Sequence, residues 1–114
     1  MTADCLFCKI CNGDIPADKI YEDAEVVAFR DISPQAPKHF LVVPRKHIVG
    51  PADLTSVDSP LTGRLLQVAA QLAREHGIGD NFRLVMNNGA EAGQSVFHLH
   101  LHVLGGRPMG WPPG

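Results

Sequence analysis

"FHLHLHVLGG", residues 97–106, places His98, His100 and His102 at alternate positions with a leucine between each pair. Half of the chain's six histidines fall in these five residues. Along an extended chain, successive side chains point to opposite faces. Residues 96–104 are therefore predicted to form a strand, with the three imidazoles on one face and Phe97, Leu99, Leu101 and Val103 on the other. The leucine face reads as core. The imidazole face has to line a cleft, because rings packed against apolar side chains would leave nitrogens without partners. The plain alternative is a solvated strand face that happens to carry histidines.

Outward from this segment, the rest of the chain supplies a sheet and one long helix. Val26 to Phe29, within "KIYEDAEVVAFRD" (19–31), is rich in strand formers and ends at the turn-rich "DISPQAP". "HFLVVP" (39–44) is almost continuously apolar, which predicts a strand buried on both faces and ended by Pro44. From Ser59 the apolar period changes. Ser59 reads as the N-cap, Pro60 as the first helical residue, and Leu61, Leu65, Val68 or Ala69, and Leu72 as one face, with Gly77 closing the end. "FRLVMN" (82–87) reads as a further strand, and "NGAEAGQS" (88–95) as a Gly-rich loop before the histidines. The expected fold is α+β, a largely antiparallel sheet of about five strands with one long and one short helix.

The bulk composition narrows the function. A chain of 114 residues, 45% hydrophobic, suits a single domain over 1–114. Its core is modest, which favours a dimer. A net charge of −2 and the lack of any Lys or Arg run give no electrostatic footprint for nucleic acid. "MTADCLFC" offers neither a signal-peptide core nor a membrane span. Three cysteines, an odd number, favour reduced thiols or a metal over a disulfide scaffold, and hence a cytoplasmic protein.

Three alternating imidazoles allow few chemistries. One ion shared by all three fails on distance, since the first and third Cα atoms of a straight strand lie about 13 Å apart and zinc–nitrogen bonds are only about 2 Å. Nucleophilic and acid–base chemistry remains, and imidazole suits it because its pKa lies near neutrality. A neutral imidazole attacks an anionic phosphorus without the repulsion a carboxylate would meet, and splits one hard step into two. The loop just upstream brings Gly93, whose backbone can approach closely, and the Ser95 hydroxyl; such loops offer N–H groups to anions. Read alone, that spacing is an ordinary hairpin turn.

"HLHLHVL" resembles the histidine-triad signature, His-φ-His-φ-His-φ-φ with φ apolar. "GGRPMGWPPG", "DISPQAPKHFLVVPRKHI" and "NNGAEAGQSVFHLHLHVLGG" are similar to the histidine-triad nucleotide-binding (Hint) branch, so the resemblance covers nearly the whole chain. It implies a homodimeric purine nucleoside phosphoramidase that binds a purine nucleotide and cleaves adenosine or guanosine monophosphoramidates. Carried over by position, His100 would be the nucleophile, and His102 would contact the phosphate and help the amine depart. His39 would support the triad from behind. Asp31 would grip the ribose, Asn87, Gly93 and Ser95 the phosphate side, and Phe7, Ile10, Ile15, Phe29 and Ile32 would wall the purine slot. Plain core packing is an equal reading for Phe29 and Ile32.

"CLFC" (5–8) with Cys11 forms C-x-x-C-x-x-C. An iron–sulfur run wants a fourth cysteine. A thioredoxin-like pair wants a βαβ unit and a helix N-terminus, and the sequence signals neither. Zinc would need two further ligands. The cysteine pair departs from many Hint proteins and resembles bacterial histidine-triad proteins and, more distantly, galactose-1-phosphate uridylyltransferases, whose pattern implies a structural zinc on Cys5, Cys8, His47 and His98. The competing reading is two reduced, half-buried thiols. With zinc bound, His98, otherwise a catalytic member of the triad, leaves the phosphate chemistry to His100 and His102. Cys11 reads as a buried apolar residue, and His76 as a helix-end residue without chemistry. Three further functions compete with the phosphoramidase: a dinucleoside polyphosphate hydrolase, a nucleotide-binding regulatory module, and a histidine-ligated metalloenzyme. The "WPPG" ending favours the Hint branch over the first.

Overall fold

The computed structural model describes residues 4–114. In chain order the elements are α1 (Leu6–Cys11), β1 (Lys19–Glu22), β2 (Val26–Arg30), β3 (Lys38–Pro44), α2 (Ser59–Glu75), β4 (Phe82–Val85) and β5 (Leu101–Gly105). The strands make one antiparallel sheet in the order β1-β2-β3-β5-β4. The α+β expectation, with one long and one short helix, is met.

The apolar run of β3 is explained by its place at the centre of the sheet, between β2 and β5. Phe40 and Val42 pack with Val26, Ala28, Leu101 and Val103 beneath α2, where Leu65, Val68, Ala69, Leu72 and Ala73 supply the helix face. Leu41 and Val43 pack on the opposite side with Val27 and Phe29 beneath α1, which contributes Phe7, Ile10 and Cys11. Each face therefore has its own core, and each fully buried Val, Leu or Phe contributes about 1.5–3 kcal/mol. Cys11 is buried as a small apolar side chain.

Several expectations need correction. The cap before α2 is Asp58, with Ser59 and Pro60 already helical. The reason is a preceding 3-10 turn, Ser56–Asp58, closed by a capping box between Thr55 and Asp58. At the other end the expectation holds: His76 is the cap, and Gly77, at φ +80°, closes the helix. "KIYEDAEVVAFRD" holds two strands rather than one, because Asp23 accepts from the amides of Glu25 and Val26 and turns β1 back along β2. Ladder pairing of the histidine segment begins only at Leu101. Upstream of that, the Leu99 amide reaches across to the Ile48 carbonyl, and the side chains of His98 and His100 take carbonyl partners instead. Leu99, Leu101 and Val103 are buried as expected, whereas Phe97 is half exposed.

Candidate active site and metal cluster

The three histidines do not share one cleft. His98 is fully buried and points to the cysteines, while His100 and His102 line a cleft of about 360 Å³. The cleft walls are Phe7, Ile10, Ile15, Phe29, Asp31, Ile32 and Ser95, joined by Leu6, Leu41 and Val96, which the sequence did not single out. Phe29 is both core and wall: it is buried against Phe7, with ring centroids 5.4 Å apart. Ile32 stands at the rim with its side chain 99% exposed, unlike a core residue. Asn87 and Gly93 are not among the cleft walls. They lie against each other, a Cβ on Gly93 falling 3.5 Å from Asn87 Nδ2, and Gly93 takes φ +105° at the end of the loop's 3-10 turn.

Hydrogen bonds decide which nitrogen of each ring is free. His100 Nδ1 lies 2.7 Å from the His98 carbonyl oxygen. A carbonyl only accepts, so Nδ1 carries the proton and Nε2 keeps its lone pair. Phe7 meets the His100 ring edge to face at 5.1 Å and holds its orientation. His102 Nδ1 lies 2.9 Å from Nε2 of His39, which is buried behind it, and Asp31 Oδ2 is 3.5 Å from the same nitrogen. Burial first, then the charges of His100 and His39, lowers the His102 pKa to about 4. Burial likewise lowers that of His39 against the opposing pull of Asp31. Both rings are neutral at physiological pH.

His98 follows the same logic with the opposite orientation. Its Nε2 lies 2.8 Å from the Pro44 carbonyl oxygen, so the proton sits there and Nδ1 is bare. That Nδ1 is 3.2 Å from His47 Nδ1, 3.3 Å from Cys5 Sγ and 3.5 Å from Cys8 Sγ, and Cys8 Sγ is 3.3 Å from His47 Nδ1. All four donor atoms lie within 4.8 Å of one another. Tetrahedral zinc with bonds of about 2.0–2.3 Å would set donors about 3.3–3.8 Å apart. The cluster has the donor types and size for that ion. Burial, then the hydrogen bond and charge of Cys5, push the Cys8 thiol up to about 11, so an incoming metal has to displace its proton. Asp31, His39 and His102 form a second compact group, whose closeness the His39–His102 hydrogen bond already explains. Contrary to the sequence reading, the cysteine pair does meet a helix N-terminus, since Cys5 caps α1 and accepts from the Cys8 amide.

The HIT domain family matches residues 12–109. This chain belongs to the HIT family. It is 54% identical over its full length to an uncharacterized HIT-like protein of Synechocystis, and 45% identical to another of Synechococcus elongatus, each covered completely. Among solved structures, a HIT family hydrolase from Legionella pneumophila superposes with a TM-score of 0.96 at 50% identity, covering 97% of this chain and 100% of that one. A HIT family hydrolase from Clostridium thermocellum gives 0.94 at 39% identity, with 96% of each chain covered.

Two features of this HIT domain escaped the sequence reading. Gln94 is buried, accepts from the Gly89 amide, and donates to the Val49 and Val96 carbonyls, which pins the loop that presents Ser95. A glutamine inside a Gly-rich loop was its only signal. The second is the backbone amide of Gln35, which donates to His39 Nδ1 at 3.0 Å. A main-chain group leaves no trace in residue identity. No helix among the described residues is long and apolar enough to cross a membrane.

Proposed function

We propose that this HIT protein hydrolyses purine nucleoside phosphoramidates through a nucleotidyl-histidine formed on His100. The observation that carries this reading is the anchoring of His100 Nδ1 on the His98 carbonyl, which leaves Nε2 bare in a cleft shared with His102. In the first step Nε2 attacks the α-phosphorus, a P–Nε2 bond forms, and the P–N bond to the amine breaks as the amine takes a proton. Water then cleaves the P–Nε2 bond and releases the mononucleotide. His102 contacts the phosphate and assists departure of the amine. The apolar walls Phe7, Ile10, Ile15, Phe29 and Ile32 take the purine, and Asp31 takes the ribose hydroxyls. Ser95 donates to the phosphate, while Asn87 and Gly93 shape the loop that presents it.

The donor set of Cys5, Cys8, His47 and His98 is proposed to hold a structural zinc, which would tie α1 to the loop after β3 and to the histidine segment and take no part in the reaction. The residues serve that purpose through the Pro44 carbonyl, which fixes the His98 tautomer from outside the cluster. The free thiols suit a reducing, cytoplasmic setting. A homodimer is supported by the free edge of β4, whose residues are all only half buried in the single chain.

The test is turnover of adenosine monophosphoramidate and, separately, of a diadenosine polyphosphate, by the wild type and by His100→Ala. Preferential cleavage of the phosphoramidate, with turnover down by about 10³-fold or more in the variant and nucleotide binding retained, is expected. Preference for the polyphosphate would move the protein to the runner-up activity, and surviving turnover would remove the covalent route.

A further inference from the structure

The role of His102 depends on which of its nitrogens holds the proton, and that is set some distance from the cleft. The Gln35 amide donates to His39 Nδ1, so Nδ1 is an acceptor and the neutral ring carries its proton on Nε2. Asp31 Oδ2, 3.5 Å from that nitrogen, favours the same arrangement. His39 Nε2–H therefore donates to His102 Nδ1, 2.9 Å away, and His102 keeps its own proton on Nε2, the nitrogen left to face the cleft. Without the Gln35 amide the pair could reverse: His39 would hold its proton on Nδ1, His102 would donate from Nδ1, and the nitrogen in the cleft would be bare. A bare nitrogen repels a phosphate oxygen and offers no hydrogen bond to it or to a departing amine.

Residue 35 is itself held from the C-terminal segment. Arg107 donates from Nη2 and Nε to the Gln35 carbonyl, at 3.0 and 3.3 Å. Beside it, Gly106 at φ +94° passes so close to Pro37 that an added Cβ would lie 2.9 Å from the Pro37 ring. We propose that Arg107 and the Gln35 amide act as a tautomer clamp: positioning residues that keep the His102 proton on the nitrogen facing the cleft. The effect on turnover rests on the phosphoramidase reading, whereas the tautomer itself does not.

The experiment is long-range proton–nitrogen NMR of histidine-labelled protein, run on wild type, Arg107→Ala, Arg107→Lys and Gln35→Pro. The last variant removes the amide hydrogen outright. In the wild type, both His39 and His102 are expected to show the Nε2–H pattern. Gln35→Pro shifts both rings to the Nδ1–H pattern or a mixture, Arg107→Ala does so partially, and Arg107→Lys restores most of the wild-type pattern. With phosphoramidate as substrate, kcat falls about tenfold or more in Gln35→Pro while KM changes little, the size expected when a hydrogen bond made in the transition state is lost. An Nδ1–H pattern in the wild type, or an unchanged pattern in both Gln35→Pro and Arg107→Ala, overturns the clamp whatever the activities. If the patterns change as expected and no variant, nor the wild type, cleaves phosphoramidate, the clamp stands and the substrate assignment fails.

Discussion

Single side chains carry this site because hydrogen bonds to one nitrogen of His100 and of His102 leave the other nitrogen for the cleft. The alternation of His98, His100 and His102 was legible in the sequence, and so was the separation of His98, which lies with the cysteines, from His100 and His102, which line the cleft. The partners were not legible, because they are carbonyls and amides, which every residue has. Phe7 illustrates the double duty of a wall residue: it is buried, meets Phe29 and His100 edge to face, and lines the cleft. Phe7→Ala is expected to cost about 3–5 kcal/mol of stability and to raise KM for the nucleotide more than it lowers kcat. Denaturant unfolding and steady-state kinetics measure the two effects. A variant of normal KM would remove Phe7 from the nucleotide's environment.

Among the elements, α1 is one that local pattern could not place. It is six residues long, and its partners are far along the chain, with His98 ninety-three residues from Cys5. Strand and helix periods reach only a few residues, so β3 and α2 were readable while the start of α1 at the cysteine pair was not. The same short helix carries Cys8 toward the Cys/His cluster and Phe7 and Ile10 toward the cleft. If that cluster holds zinc as proposed, loss of the ion is expected to loosen the cleft wall. Cys8→Ser should lower the zinc content of the purified protein, measured by elemental analysis, and lower the melting temperature and nucleotide affinity together. A chelator should inactivate slowly, at the rate of unfolding or loosening. Full zinc occupancy in the variant would exclude Cys8 as a ligand, and instant loss of activity on chelation would argue for a metal in the reaction.

At the scale of the whole molecule, a five-stranded sheet separates two cores, and His100 and His102 lie at the start of β5, in the cleft that α1 helps to wall. Burying neutral imidazoles there makes the fold sensitive to acid. The His102 pKa is depressed to about 4 from an ordinary 6.5, and that of His39 is depressed as well. The unfolded chain therefore binds protons that the folded chain refuses, and stability present above pH 6.5 is lost as pH falls toward 4. The melting temperature of chelator-treated protein is expected to drop across that window, and less steeply in His102→Gln; equal slopes would show that the histidine is not the cause. The central claim, a covalent bond at His100, is tested most directly by acid-free denaturing quench during turnover of adenosine monophosphoramidate, followed by peptide mass spectrometry. An adenylyl group on His100, absent from the His100→Gly protein, is the result predicted. Turnover with no adduct at early times, or an adduct on another residue, would contradict it.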